Sequence, residues 1–436
     1  MVVDSKTEKR VRGLKRIREE IDFYKATLKE LNKLPTDETK LWTPLMKAAL
    51  EQYEKTVRCV EEGKPLLASY WSICPEVYKA MDIHYFGIQG HHFQQSQARF
   101  VMRDLEECDK LGLARDNCSL LRLAMYYIAS GLMPTPTMII HKLEPCDALL
   151  GMHEAVRVHK EWRDIPYYSL DPPYWEDDRT FDYYAGEVRG VVSFLEEQTG
   201  KKLDVDRLRE VIKESNKQYE LWAEYNELRR AVPCPHGHDL AAQLYPMVQI
   251  FWPGDPRCTA WLRDMMADAE ERVRTKKGWL SPEKVRVIWF DVYCFWLRDL
   301  NAWLEQEWGA NIVMDMSSYC PYTLIDTSSE YTMFKGLGKR TICDQIMVRQ
   351  VRGLADRLLS DLQRMIKEYK ADAVIPPTHI GHKDQIATLG LIREVCRDAG
   401  VACLDMGMVD IFDPRYTSMD EIKDRLSRYL VTMGLG

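Results

Sequence analysis

The sequence predicts an α/β protein with two parallel-sheet α/β domains, a helical N-terminal arm and a helical insert between the two domains. Two observations lead to this prediction. Apolar runs of strand length alternate with amphipathic helical segments in two separate parts of the chain, and a long stretch of helical pattern lies between those parts. Strands that alternate with helices form right-handed βαβ units and a parallel sheet. The predicted segments are 1–62, 63–179, 180–280 and 281–436.

The first two segments hold the arm and the first domain. Through residues 5–62, apolar and charged residues recur at helical spacing with a break at LPTDET, which predicts two helices. From Gly63 the pattern changes to a buried strand in GKPLLASYW, and a second strand is predicted at 138–140. A helix is expected after Glu144, and a short strand is expected near IPYYSL.

The third segment is helical, and the fourth returns to strand–helix alternation. Asp204 stands where an N-cap is expected before the helix of VDRLREVI. No catalytic residue type clusters on one face of the insert, which is therefore predicted to be a packing layer or a cover over a cleft. In the fourth segment the predicted strands are VRVIWF, NIVMDMS, ADAVIPP and VACLDM, and the predicted helices are FWLRDLNAWLEQEWG, RQVRGLADRLLSDLQRMIKEYK and ATLGLIREVCRDAG.

Charge and composition restrict the partners and the compartment. The chain has 436 residues, of which 46% are hydrophobic and 29% are charged, as expected for a folded protein with a large core. Lys and Arg number 60 against 67 Asp and Glu, so the net charge of −7 gives no reason to expect nucleic acid or an anionic membrane as a partner. The N-terminus shows no export signal, and no apolar stretch is long enough for a membrane span. A cytoplasmic protein is expected.

Twelve cysteines are the unusual feature of the composition. Disulfides rarely persist in a reducing cytoplasm, so these residues are expected to be buried apolar groups, metal ligands or nucleophiles. No CxxC pair occurs, which removes the usual signatures of a zinc ribbon, a ferredoxin and a thioredoxin-like dithiol. GxGxxG, P-loop and GxSxG motifs are also missing. Any metal centre must therefore combine ligands from distant loops.

Ligands of parallel sheets bind where loops leave the carboxyl ends of the strands. Four loops meet this condition, at 71–76, 141–147, 291–294 and 378–384. Three of them carry a cysteine and the fourth carries two histidines: Cys74, Cys146, Cys294, His379 and His382. Polar residues in these loops are the first candidates for chemistry.

Cys118 and Cys146 both stand at the start of predicted helices. Asn117 is a possible cap beside Cys118, and Cys146 lies at a strand-to-helix junction. A helix N-terminus favours a thiolate, so each thiol is a candidate ligand or nucleophile, and burial as a small apolar residue is the alternative. The other thiols divide into a group expected in the core, Cys59, Cys108, Cys396 and Cys403, and a group left open, Cys74, Cys294, Cys320 and Cys343.

The tract CPHGH at 234–238 has the composition of a metal-binding sequence. It lies between helical segments, however, and Pro stands on both sides of its cysteine. It is predicted to be a turn whose histidines lie on the surface.

Six blocks follow one another along the chain: GKPLLASYWSICPEVYKAMDI, DNCSLLRLAM, MIIHKLEPCDALLGM, FLEEQTGKKLDVDRLREVIKESNKQY, WLEQEWGANIVMD, and the segment that begins ADAVIPPTHIGHKD and ends MDEIKDRL. Their collinear order resembles the 2-hydroxyacyl-CoA dehydratase and benzoyl-CoA reductase family over roughly residues 55–430. No single block is diagnostic, and the order of the whole set carries the resemblance. The two α/β domains and helical insert of that family agree with the alternation described above.

The resemblance implies a cofactor and partners. In this family each subunit is half of a heterodimer, and three cysteines from separate loops hold a [4Fe–4S] cluster. A separate iron–sulfur activator hydrolyses ATP and supplies a low-potential electron. Cys118 and Cys146 match two of the cluster ligands, and His382 stands where the family has its third cysteine. Imidazole can ligate iron and raises the reduction potential relative to thiolate, so His382 is the implied third ligand, with Cys320 and Cys343 as alternatives.

The resemblance also implies radical chemistry on acyl-CoA thioesters, through a ketyl, in anaerobic metabolism. The substrate is either a 2-hydroxyacyl-CoA that is dehydrated or an aryl-CoA such as benzoyl-CoA that is reduced. A cluster with an open iron can act as a Lewis acid while the electron is delivered. Four loop residues are candidates for contacting the thioester or relaying a proton: Ser72, Glu76, His379 and Lys383. Glu76 could instead cap the helix that begins after Pro75.

Two other functions stay open. The chain could be a non-catalytic partner subunit without its own cluster, because the third cysteine is replaced. It could also be a zinc enzyme that uses His379, His382 and cysteine ligands. The motifs divide between the substrate classes as well: WSICPE and HIGHK favour a dehydratase, whereas DNCSLLRLAM, DPPYWEDDRTF and VDIFDPRY favour a reductase.

Overall fold

The computed structural model describes residues 13–33, 37–69, 73–88, 98–143, 146–294, 296–319, 322–345, 348–351 and 355–435. Within these residues the predicted α/β class is confirmed, because two four-stranded sheets are parallel in all their pairings and helices form most of the rest. No helix in this part of the chain is long and apolar enough to cross a membrane. Ser72 and Cys320 lie outside the described residues.

The N-terminal arm consists of two helices that pack against each other, as predicted. Helix α1 spans Leu14–Leu31 and helix α2 spans Asp37–Glu61. A guanidinium nitrogen of Arg16 lies 2.7 Å from a carboxylate oxygen of Asp104, which ties the arm to the first domain. The apolar face that α1 buries recurs at three- and four-residue spacing, as expected for an amphipathic helix: Leu14, Ile17, Ile21 and Tyr24.

The first domain is built on a sheet with the strand order β2-β1-β3-β4. Strand β2 was not predicted, because a three-residue strand has too short a pattern to stand out from a loop. Since all neighbours are parallel, the carboxyl ends of the strands lie at one edge of the sheet. The elements of this domain are β1 (Leu67–Ser69), α3 (Pro75–Ala80), β2 (Tyr85–Gly87), α4 (Ala98–Lys110), α5 (Ser119–Ala129), β3 (Met138–Lys142), α6 (Asp147–Val158) and β4 (Tyr167–Leu170).

The insert is helical, as predicted. Asp204 is the N-cap of the second long helix, where its Oδ1 accepts hydrogen bonds from the backbone N–H groups of Asp206 and Arg207 at 3.0 Å. Trp222 and Tyr225 of that helix are fully buried, so the insert packs as part of the main core. Its elements are α7 (Asp178–Thr199), α8 (Val205–Leu228), α9 (His238–Ala241), α10 (Leu244–Pro246), a π-helical turn (Met247–Phe251) and α11 (Pro256–Arg274).

The second domain has a parallel sheet with the order β6-β5-β7-β9 and a separate parallel pair, β8 with β10. Helices α13 and α17 were not predicted, and the single helix predicted over 349–370 is two helices, with 352–354 outside the described residues. Both large sheets fall inside the segments predicted to hold them, and the segment boundaries stay predictions. The elements are β5 (Val285–Trp289), α12 (Arg298–Trp308), β6 (Ala310–Asp315), α13 (Glu330–Cys343), α14 (Val348–Val351), α15 (Ala355–Glu368), β7 (Ala373–Ile375), β8 (Thr378–His379), α16 (Lys383–Ala399), β9 (Ala402–Cys403), β10 (Met408–Val409), α17 (Met419–Leu430) and a π-helical turn (Val431–Leu435).

The histidines of the CPHGH tract are buried, so the prediction that they lie on the surface is wrong. His236 and His238 are each 1% exposed. One ring nitrogen of His236 lies 2.7 Å from Asp268 and the other lies 2.9 Å from the Tyr225 hydroxyl. Nε2 of His238 lies 3.2 Å from Asp315, at the end of β6. The carboxylates that accept these rings come from distant elements, which the local pattern of Pro and Gly does not reveal.

Replacing Asp204 by alanine is expected to lower the free energy of unfolding by about 1 kcal/mol, because α8 loses the side chain that caps its first N–H groups. Urea unfolding followed by circular dichroism measures the change. Asp164→Ala is the matched control, since the Asp164 side chain is 86% exposed and approaches Arg163 at 3.7 Å. An equal loss in both variants, or no loss in Asp204→Ala, would contradict the role of this cap.

Candidate metal centre

Three candidate ligands occupy the same position in three different helices. Cys118 is the N-cap of α5, Cys146 is the N-cap of α6, and His382 is the N-cap of α16. None of these three side chains bonds to the backbone N–H groups of its own helix. A helix N-terminus carries partial positive charge, which favours anionic groups placed beside it. The side chains therefore stand at positively polarised helix ends without serving as caps.

A glycine allows the two domains to approach each other at this point. A Cβ atom on Gly381 would lie 2.4 Å from Cα of Cys118 and 2.7 Å from its Cβ, so no other residue fits without a shift of the backbone. Gly381 precedes His382 directly, and its N–H donates to Nδ1 of His379 at 3.2 Å. The turn that carries both histidines is therefore packed directly onto the start of α5.

Asp410, from the second domain, caps the helix of the first domain that begins after Cys118. One carboxylate oxygen accepts a hydrogen bond from the backbone N–H of Ser119 at 3.2 Å, and the other accepts from the Ser119 hydroxyl. Asp410 is 1% exposed, and its carbonyl oxygen accepts a hydrogen bond from the Trp296 indole at 2.8 Å. This carboxylate supplies the cap that the Cys118 side chain does not provide, and it joins the two domains.

His382 is buried and paired with a carboxylate. Its Nδ1 lies 2.9 Å from Oδ1 of Asp291, and the two side chains are 5% and 0% exposed. Burial alone would lower the pKa of His382, but the Asp291 carboxylate and the adjacent Cys118 thiol raise that pKa well above its ordinary value. The ring of His379 lies parallel to that of His382, with 3.9 Å between the centroids. Burial and the charge on His382 lower the pKa of His379 well below its ordinary value.

Several thiols gather around this pair. Burial and the neighbouring Cys118 thiol raise the pKa of Cys146 to about 12. Burial, together with Asp291, Asp410 and Cys118, raises the pKa of Cys294 well above its ordinary value. Thiols and carboxylates this close together cannot all be ionised unless a cation neutralises them. The site therefore suits a metal group, whose binding displaces the thiol protons.

The residues fit a cluster better than a single metal ion. Across the described ranges, no three His, Cys, Asp or Glu side chains come close enough to enclose one ion. A [4Fe–4S] cluster contains four irons and needs ligands set further apart than those of tetrahedral zinc. Three buried polar atoms at the site lack a hydrogen-bond partner in the described part of the chain: Nε2 of His379, Oδ2 of Asp291 and Oδ2 of Asp384. A bound group with polar edges would complete their surroundings.

Lys383 lies at the solvent side of the site. Its side chain is 53% exposed, and its ammonium stands 3.6 Å from Asp116 and 3.8 Å from Asp147. These two carboxylates belong to the starts of α5 and α6, so the ammonium bridges the two helices that carry the thiols. Exposed ion pairs of this length contribute little stability. Lys383 thus marks the accessible edge of the site.

The structure places Glu76 in a different set of contacts. Its Oε1 accepts hydrogen bonds from the Ser215 hydroxyl at 2.7 Å and from the Arg340 guanidinium at 2.8 Å. The guanidinium of Arg340 lies 4.0 Å from the centre of the Tyr219 ring. Glu76 therefore links α3 to α8 and α13 through a buried ion pair. These contacts favour a structural role, and its catalytic role stays a prediction.

Sequence reasoning missed Asp291 and Asp410 as partners in the site. Asp291 stands in a loop that the position of strand ends had already marked for chemistry, so the signal for it was a carboxylate just after a buried strand. Asp410 follows β10, whose two residues give no recognisable strand pattern. Cys343, an alternative ligand, ends α13, and its carbonyl accepts a hydrogen bond from Arg349 at 3.1 Å.

A sequence profile of the family described as 2-hydroxyglutaryl-CoA dehydratase, D-component, matches residues 70–430 of the chain. One component chain of the benzoyl-CoA reductase of Thauera aromatica is 24% identical over 351 residues, which cover 74% of this chain and 78% of that relative.

Two dehydratase subunits are also similar to the chain. The (R)-phenyllactyl-CoA dehydratase alpha subunit of Clostridium sporogenes is 24% identical over 219 residues, which cover 48% of this chain and 52% of that relative. The (R)-2-hydroxyisocaproyl-CoA dehydratase alpha subunit of Clostridioides difficile is 23% identical over 257 residues, which cover 56% and 62%. Both alignments span less than two thirds of the dehydratase subunits.

Replacing Glu76 by glutamine is expected to lower the free energy of unfolding by about 3 kcal/mol, because the buried Arg340 guanidinium loses the carboxylate that neutralises it. Urea unfolding of the full chain measures this change. Glu210→Gln is the matched control, since Glu210 is exposed, pairs with Lys213 at 2.8 Å, and should contribute no more than about 0.5 kcal/mol. Unchanged stability of Glu76→Gln would show that the ion pair does not hold α3 in place.

Proposed function

The chain belongs to the family of the 2-hydroxyglutaryl-CoA dehydratase D-component, and from this premise we propose that it is a subunit of an iron–sulfur enzyme that acts on acyl-CoA thioesters. The substrate is either a 2-hydroxyacyl-CoA that is dehydrated or an aryl-CoA such as benzoyl-CoA that is reduced. Relatives with both kinds of name support this pair of substrate classes. The observation that carries the proposal is the convergence of Cys118, Cys146 and His382, from both domains, at three helix N-termini.

We assign a [4Fe–4S] cluster to Cys118, Cys146 and His382. When bound, the cluster supplies a low-potential electron and Lewis acidity to the thioester. The chain itself contributes electrostatics. Three helix N-termini direct positive potential to the place where the negative charge of a ketyl develops, which lowers the cost of that charge in a buried site.

His379 is the residue best placed to hydrogen-bond a reacting substrate. Its Nδ1 accepts the N–H of Gly381, while its buried Nε2 lacks a hydrogen-bond partner in the described part of the chain. Lys383, at the accessible edge, can attract the anionic part of a CoA ester. Ser72, which follows β1 outside the described residues, keeps its proposed role at the thioester.

The proposal includes partner subunits. All three relatives are named as subunits, which supports a chain that works in a complex. We assign it a homologous second subunit, so that the two form a heterodimer, and a separate ATP-hydrolysing iron–sulfur activator that delivers the electron. A cytoplasmic location and an anaerobic metabolism belong to the same proposal, because a low-potential cluster requires reducing surroundings.

A second candidate function is a partner subunit that shapes the complex and holds no cluster. The observation that favours it is His382, a histidine where the family's third cysteine is expected. A zinc enzyme is less favoured, because the described side chains do not enclose a single ion. The metal content of the chain separates the three functions.

The full chain, purified anaerobically, is expected to contain about four irons and four sulfides. Cys118→Ala and Cys146→Ala are each expected to lose most of this iron, because each removes one of three proposed ligands. Cys258→Ala is the matched control, since Cys258 is a fully buried thiol in α11, and it should keep the iron. An iron-free wild-type chain would support the partner subunit, one zinc would support the zinc enzyme, and a Cys118→Ala variant with full iron would refute the ligand assignment.

The reconstituted complex, with activator, ATP and a low-potential reductant, is expected to turn over one of the two thioester classes. Chromatography of the CoA esters after incubation with a 2-hydroxyacyl-CoA or with benzoyl-CoA measures this. Dehydration identifies a dehydratase subunit, and ring reduction identifies a reductase subunit. If an iron-loaded complex converts neither thioester, the proposed substrate class is wrong.

A further inference from the structure

Asp291 is a buried carboxylate in a fixed position beside His382. It follows Phe290, whose N–H donates to Ile375 of β7 at 2.9 Å, so the backbone before it belongs to the sheet. Oδ1 of Asp291 accepts hydrogen bonds from the backbone N–H of Val292 at 2.6 Å and from Nδ1 of His382 at 2.9 Å. The carboxylate is fully buried, which strengthens both interactions.

This contact fixes how the imidazole presents its two nitrogens. An ionised carboxylate only accepts hydrogen bonds, so the hydrogen of the shared bond lies on Nδ1 of His382 and Nε2 is the nitrogen left for a metal. The ring is restrained on a second side by His379, which stacks on it at 3.9 Å and whose carbonyl oxygen accepts the backbone N–H of His382 at 2.8 Å. The orientation of His382 is therefore set before any metal binds.

The same contact has a consequence for charge. A thiolate ligand carries one negative charge, whereas a neutral imidazole carries none. A carboxylate hydrogen-bonded to a ligating imidazole raises the basicity of that ligand. His382 and Asp291 together carry the charge that a cysteine thiolate would bring to the same position.

We propose that Asp291 is a positioning residue of the metal centre, which aims Nε2 of His382 at the metal and restores the negative charge that imidazole lacks relative to thiolate. This inference rests on the proposed function, since it concerns the ligand of the proposed cluster. It explains why this chain can place a histidine at a position where its family is expected to have a cysteine.

The test compares Asp291→Asn in two backgrounds, the wild type and His382→Cys, with the full chain purified anaerobically. The readouts are the rate of iron release to a ferrous chelator and the reduction potential of the cluster. In the wild-type background, Asp291→Asn is expected to speed iron release about 10- to 100-fold and to shift the potential to a more positive value. In the His382→Cys background the same change is expected to alter the release rate by less than about two-fold, because a thiolate has no Nδ1–H to orient.

Each outcome bears on the inference. Equal acceleration in both backgrounds means that Asp291 only stabilises the fold, and no acceleration in either means that it does not act on the centre. Both results overturn the inference while the iron content of the wild type still supports the proposed function. A wild-type chain without iron refutes the proposed function and the inference with it. If Asp291→Asn does not fold, Asp291→Ser, which keeps an acceptor for the N–H of Val292 without the charge, replaces it under the same expectations.

Discussion

Three helix N-termini meet at one buried place between the two α/β domains, and their combined positive potential governs what that place can hold. Helices α5 and α6 reach it from the first domain and α16 reaches it from the second. In a parallel sheet, the helices that follow the strands begin at the carboxyl edge. The fold therefore has only to set the carboxyl edges of its two sheets face to face. Burial then opposes ionisation of the thiols there, as the raised pKa of Cys146 shows, while the helix ends and a bound metal group favour it.

The alignment of the two edges depends on a small number of close contacts. Gly381 lets the histidine turn touch the backbone of Cys118, and Asp410 of the second domain caps the helix that starts at Ser119 of the first. Because the proposed ligands come from both domains, they are in place only when the domains are docked. Binding of a metal group and docking of the domains would stabilise each other, since the free energy of binding adds to that of the assembled state.

The fold class and the main site residues could be predicted from the sequence because both depend on simple patterns. Strand–helix alternation specifies a parallel sheet, and the rule that chemistry lies at carboxyl strand ends led to Cys146, His379 and His382. Interactions between distant segments could not be predicted in this way. Asp291 and His382 are separated by 91 positions, and nothing in either loop states that they pair.

Short elements and buried polar residues escaped prediction for related reasons. Strands β8 and β10 have two residues each, too few for any periodicity, although β8 ends at His379 and so fixes the histidine turn. The histidines of CPHGH were expected on the surface, since a turn is usually exposed, but Asp268 and Asp315 accept them inside the core. A polar residue can be buried wherever another part of the chain supplies its partner, and one sequence does not show that partner.

The central claim is that an imidazole, supported by a carboxylate, completes a cluster that its family builds with thiolates alone. The most direct test is pulsed electron paramagnetic resonance of the reduced chain labelled with nitrogen-15 histidine. The account predicts a hyperfine coupling from a nitrogen bound directly to iron, and the loss of this coupling in a His382→Cys variant that retains its iron. An iron-containing wild-type chain without that coupling, or a coupling that survives in His382→Cys, would contradict it.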